Sequence, residues 1–150
     1  MWRDPRIDVA RLALALALLA GGVTPAAARV TRVAARDTLA RVALAAARPG
    51  DTLVLVSGTH HGPLVLHVPV TLRGEPGAVV SGGGHGTVIA VGAPGSRIED
   101  LIVRGSGRQV LSVDAGVYVQ CGGVTLSRLT LDDVLYGIYA ERADGLAVDG

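Results

Sequence analysis

The side chains in this protein that could do chemistry are few and scattered. The histidines are His60, His61, His67 and His85, and the single thiol is Cys121. Imidazole suits borderline transition metals, and a thiolate suits soft ions such as Cu(I). His60, His61 and Cys121 are therefore the candidate metal ligands, with His67 and His85 on neighbouring segments as further imidazoles. Adjacent histidines on a strand point to opposite faces, so His60 and His61 share one ion only if the turn after Gly58 bends the chain. The competing reading is a set of solvated turn histidines, with Cys121 as a small buried residue in a stack.

The acidic candidates are Asp100, Asp114, Asp132 and Asp133. Two carboxylates can split the work of glycoside hydrolysis, one as acid and one as base or nucleophile. Asp132-Asp133 is a pair in sequence, yet neighbours at a strand end diverge, and a turn suits them better. Lysine is absent, and arginine holds its proton too tightly to be a useful base. Gly82-Gly83-Gly84-His85-Gly86 has no Lys-Ser/Thr after it, so it reads as a turn and not a phosphate-binding loop.

What must position these groups is a repeat. Ala115-Gly116-Val117-Tyr118-Val119-Gln120 returns as Tyr136-Gly137-Ile138-Tyr139-Ala140-Glu141, and Ile98-x-x-Leu101-x-Val103 returns as Leu126-x-x-Leu129-x-Leu131. The shifts are 21 and 28 positions. Strand-length bursts between Gly or Asp turns, recurring at this interval, mark coils that bury their apolar faces only by stacking. The longer interval predicts a loop inserted around 106–114, and a lengthened loop marks a functional face. Arg104, Ser106, Arg108 and Asp114 are the partner-binding candidates there, arginine being favoured at interface hot spots.

The rest of the chain predicts one domain. Arg3, Arg6 and Arg11 precede an unbroken apolar run at 12–20, and Ala26-Ala27-Ala28 supplies small residues for cleavage. Residues 1–28 thus read as a secretory signal peptide, since nine apolar residues are too few to span a bilayer. The mature part is expected to be exported, with no membrane insertion of its own. The segment 29–50 contains a predicted helix over 38–47, N-capped by Asp37, with Leu39, Val42, Ala43 and Ala46 as its apolar stripe. Arg48 is placed in its last turn, and Pro49-Gly50 stops it. This helix is expected to plug the open end of the solenoid. From 51 to 150 short strands follow at 52–56, 64–67, 70–72, 78–80, 87–91, 101–103, 117–120, 124–126 and 129–131, separated by turns at Ser57-Gly58, 74–77 and 82–84. A strand-like burst close to Gly150 predicts that the coils continue in a longer protein.

Composition narrows the function classes. Glycine is 21 of 150 residues, and all 14 basic residues are arginine. Removing the leader's three arginines and two aspartates leaves eleven charges of each sign. No basic stripe or stacking platform is present, so nucleic acid is excluded as a partner. One cysteine forms no internal disulfide, and stability must come from stacked apolar coils.

Pro49-Gly50-Asp51-Thr52-Leu53 followed by Ser57-Gly58-Thr59 resembles the opening coils of pectin-lyase-like proteins. Leu101-Ile102-Val103-Arg104-Gly105-Ser106-Gly107, then Asp114-Ala115-Gly116-Val117-Tyr118-Val119, then Tyr136-Gly137-Ile138-Tyr139, resembles the NosD-like family of nitrous-oxide reductase maturation proteins. The resemblance covers 51–150. It implies an all-β fold, a right-handed single-stranded parallel β-helix with a short N-terminal capping helix. It further implies a periplasmic, non-enzymatic accessory role in assembling a copper centre. The implied partners are the membrane subunits of an ABC transporter, a copper chaperone and the apo-reductase. The family often places Asn in the turn before a strand; this chain has none, and Asp132, Asp144 and Asp149 stand at turn-like positions. Two alternatives come from the same fold. One is an exported polysaccharide lyase or hydrolase. The other is a carbohydrate-binding module, which would expose a row of aromatics on one face.

Overall fold

The computed structural model describes residues 27–150, so the leader predicted at 1–28 lies outside the described residues except for its last two positions. Short runs of Leu, Val and Ile cannot bury themselves alone. Each is paired in parallel with the equivalent run one coil away. The elements are β1 (Val30–Val33), α1 (Leu39–Ala46), β2 (Thr52–Leu55), β3 (Gly58–His61), β4 (Leu64–Leu66), β5 (Thr71–Gly74), β6 (Ala78–Ser81) and β7 (Ile89–Val91). They continue with β8 (Arg97–Glu99), β9 (Ile102–Arg104), β10 (Ala115–Val119), β11 (Thr125–Ser127), β12 (Thr130–Asp132), β13 (Tyr136–Ala140) and β14 (Ala147–Asp149).

Three parallel sheets form the sides of a β-solenoid. Sheet A runs β1-β2-β5-β8-β11-β14, sheet B runs β3-β6-β9-β12, and sheet C runs β4-β7-β10-β13. One coil is one strand from each sheet in the order A, B, C. Both predicted repeat shifts are true registers. Ala115 pairs with Tyr136 and Tyr118 with Tyr139, while Ile98 pairs with Leu126 and Val103 with Leu131.

Inward side chains form continuous columns. Leu53, Leu72, Ile98 and Leu126 stack along sheet A, and Leu64, Ile89 and Val117 along sheet C. All are within 2% of full burial, and a leucine so placed contributes about 2–5 kcal/mol against truncation to alanine.

The helix is shorter than predicted, and it is rotated. Its N-cap is Thr38, which makes no side-chain capping bond, and Arg48 lies beyond its last turn. Ala40 and Leu44 are the buried residues, whereas Leu39 and Val42 are exposed. In so Ala- and Leu-rich a segment, 40, 43, 44 and 47 make an apolar stripe as good as 39, 42, 43 and 46. The packing against β1, β2 and β4 selects between the two. Ala40 and Leu44 join the buried cluster of the coils, so the helix covers that cluster at the N-terminal end.

Asp51 fixes this cap. Its carboxylate accepts the Arg29 N–H at 2.9 Å and the Arg48 N–H at 2.9 Å. These bonds, the one from Arg29 first, hold its pKa below the usual aspartate value. The register shift from β1 to β2 is 22 residues, equal to that from β11 to β14, although the first interval holds a helix instead of two strands.

The corners differ in length. Sheet A passes to sheet B through residues 56–57, 75–77, 100–101 and 128–129. Sheet B passes to sheet C through residues 62–63, 82–88, 105–114 and 133–135. Among the described residues, the left-handed non-glycine ones are Asp100, Val113, Arg128, Asp133 and Arg142. Asp132 and Asp149 instead close strands β12 and β14.

Candidate functional site

The predicted insertion is the ten-residue B–C corner of the third coil, residues 105–114, against three residues in the fourth. The difference of seven accounts for the gap between shifts of 28 and 21. The loop lies on the glycine-rich corner 82–88 of the coil before it. Gly84 N–H donates to Gly105 O at 2.8 Å, and Gly107 N–H donates to Gly86 O at 2.8 Å.

Buried polar side chains shape the loop from within. Asp114 is 5% exposed, and its Oδ2 accepts the Gln109 N–H at 2.8 Å. Its own N–H donates to Gln109 O at 3.3 Å, which closes the neck of the loop. Position 107 must be glycine because a Cβ there would overlap the Asp114 carboxylate. The Thr87 hydroxyl donates to Val113 O at 3.0 Å and accepts the Ala115 N–H at 3.2 Å. Ser106 is 2% exposed; its hydroxyl donates to Gly107 O and accepts the Leu135 N–H, each at 2.9 Å.

The four partner-binding candidates thus divide. Ser106 and Asp114 are internal supports, and Arg104 and Arg108 are exposed. Arg108 is paired with Asp133 on the next coil. Two exposed groups of the loop are apolar and were missed from sequence: Val110 at 60% and Leu111 at 100%. The available signal was the adjacent apolar pair Val110-Leu111 inside a Gly/Ser/Arg loop.

The metal candidates are not brought together. His60 is fully buried in β3, in register with Val80, and is no turn histidine. Its Nε2 lies 2.9 Å from Val56 O, so in the neutral ring Nε2 carries the proton and Nδ1 is left without a partner. His61 points outward from the same strand, with Nε2 3.8 Å from Asp37 Oδ1. His67 and His85 are exposed on corners. Cys121 is buried after β10, two coils further on, with Sγ 3.6 Å from Val91 O; burial pushes its thiol pKa up. Among the described residues no three His, Cys, Asp or Glu side chains converge as a metal site. These residues do not fit a bound copper ion.

Of the acidic candidates, Asp100 forms a two-point ion pair with Arg128 on the next coil, at 2.5 and 2.9 Å. The guanidinium holds the Asp100 pKa below its usual value. This pair borders a cleft of about 410 Å³ at the A–B corner, lined also by Gly74, Pro76 and Thr130. On sheet C, Tyr118 and Tyr139 meet edge to face at 5.4 Å, with Tyr136 5.7 Å from Tyr139. The Tyr118 hydroxyl donates to Glu141 at 2.7 Å. These rings are partly exposed and stack on one another outside the buried cluster.

No family model matches the chain, and no solved structure matches it. Over 96 residues it is 30% identical to the probable ABC transporter binding protein NosD of Pseudomonas aeruginosa. The matched stretch is 63% of this chain and 22% of that protein. The chain therefore spans about a fifth of the length of this relative.

Proposed function

We propose that this β-solenoid belongs to an exported accessory protein of the NosD kind, which works beside an ABC transporter in assembling the copper centre of nitrous-oxide reductase. The observation that carries this reading is the 30% identity to NosD over 96 residues, on a chain whose repeats stack as parallel coils. In this role copper is cargo. The protein acts by presenting a surface to partners, and the supported loop at 105–114 is a surface of that kind.

The test is deletion of the gene in its host, followed by assay of nitrous-oxide consumption and of copper in the purified reductase. Reductase made in normal amount but lacking its catalytic copper is the expected result. A fully loaded, active reductase would overturn the reading. Weight would then move to carbohydrate binding, which the partly exposed Tyr118, Tyr136 and Tyr139 favour, and oligosaccharide binding would be screened next.

A further inference from the structure

Single exposed leucines are ordinary on protein surfaces, but Leu111 sits on a tip whose backbone and neck are both fixed. It follows another exposed apolar residue, Val110. The tip closes through a bond from Val113 N–H to Val110 O at 3.2 Å. Val113 sits at φ 54, a left-handed backbone that β-branched residues avoid. The neck is then locked by Asp114, Gln109 and Thr87, and Ser112 Oγ donates to the Gln109 side chain at 3.0 Å. Strain of this kind persists only where the surroundings over-determine it, and it concentrates at functional sites. A tip fixed before contact loses little conformational freedom on docking.

We infer that Val110 and Leu111 form an anchor that inserts into a shallow apolar pocket, rimmed by neutral polar groups, on a partner protein. The charges around the tip decide for protein over lipid. Arg108 is paired with Asp133, and Arg104 lies in register with Asp132 on the neighbouring strand. The flanks are therefore balanced, with no net positive charge to draw the loop to anionic lipid. Two apolar side chains also bury too little surface to anchor a protein on a bilayer by themselves. This inference rests on the reading above and names the loop through which the protein meets its transporter.

The experiment uses the full-length protein and the purified transporter membrane subunits in lipid nanodiscs, with empty nanodiscs of the same lipids in parallel. Wild type should bind the loaded discs and not the empty ones. A Val110→Ser, Leu111→Ser double variant should raise Kd about tenfold or more while its unfolding transition stays in place. Leu111→Met should bind nearly as wild type does. Unchanged binding by the double variant would overturn the anchor and leave the transporter reading standing. Failure of wild type to bind loaded discs would sink both. Binding to empty discs that disappears in the double variant would overturn the protein partner in favour of lipid.

Discussion

Two corners of the same solenoid are built in opposite ways. Between sheets A and B the chain turns in two residues in three coils and in three residues in the other. Successive turns there touch directly. Gly74 backs onto the Asp100 carbonyl so closely that a Cβ would overlap it, and Asp100 and Arg128, both left-handed, pair across coils. Between sheets B and C the chain takes two to ten residues. The long loops are held by buried side chains, Asp114 within the loop and Ser106 and Thr87 between neighbouring loops. A corner that keeps the register of its neighbours cannot grow. A corner whose extra residues are bonded by buried side chains can, and the exposed apolar tip is found there.

The sharpest way to break this contrast is a matched pair of glycine substitutions. Gly74→Ala places a Cβ against the Asp100 carbonyl and 2.7 Å from Leu101 Cδ2, so it should cost about 3 kcal/mol or more. Gly84→Ala at the B–C corner meets nothing within 4 Å and should cost only the left-handed penalty of about 1–2 kcal/mol. Urea denaturation of both variants checks the order; equal costs would erase the distinction.

The polar supports should differ next. Asp114→Ala removes a buried acceptor and should cost about 1–3 kcal/mol, with amide exchange accelerating at 109–113. Arg128→Ala breaks an ion pair whose side chains are 56% and 38% exposed, and solvent screening limits that loss to about 1 kcal/mol or less, smaller still in high salt.

The smallest effect is in acid. Asp100 and Asp51 both have folded pKa values below the usual aspartate range, through the Arg128 guanidinium and the Arg29 N–H respectively. A depressed folded pKa gives stability that is fully present above the unfolded value of about 3.9 and is lost as pH falls through the folded value. Stability followed by urea midpoint should therefore be flat with respect to these two groups near neutrality and decline below about pH 4. Asp100→Asn should remove part of that decline.

The repeat was readable because it is written in apolar spacing. Val117 and Ile138, or Ile98 and Leu126, occupy equivalent inward positions, and their register follows from sequence alone. Strand β3 was hidden by its own composition, for Gly58-Thr59-His60-His61 looks like a turn until β6 pairs beside it. Strand β1, at Val30–Val33, lay in a segment read only for its helix. The helix face was ambiguous because two apolar stripes were equally good.

At the candidate site the loop and its length were legible, but its inside and outside were not. Ser106 and Asp114 look like surface groups in sequence and are buried, while Val110 and Leu111 look like core and face water. Only the fold decides which atoms of a loop find partners.

The 22-residue interval from β1 to β2 equals that from β11 to β14, and this bears on how such a molecule can be altered. A closing unit and a stacking unit here span the same number of residues along sheet A. The equality concerns sheet A alone, so a coil put in the lid's place would leave the pairing of sheet A in step, whereas a lid placed between coils would interrupt sheets B and C, which a helix cannot extend.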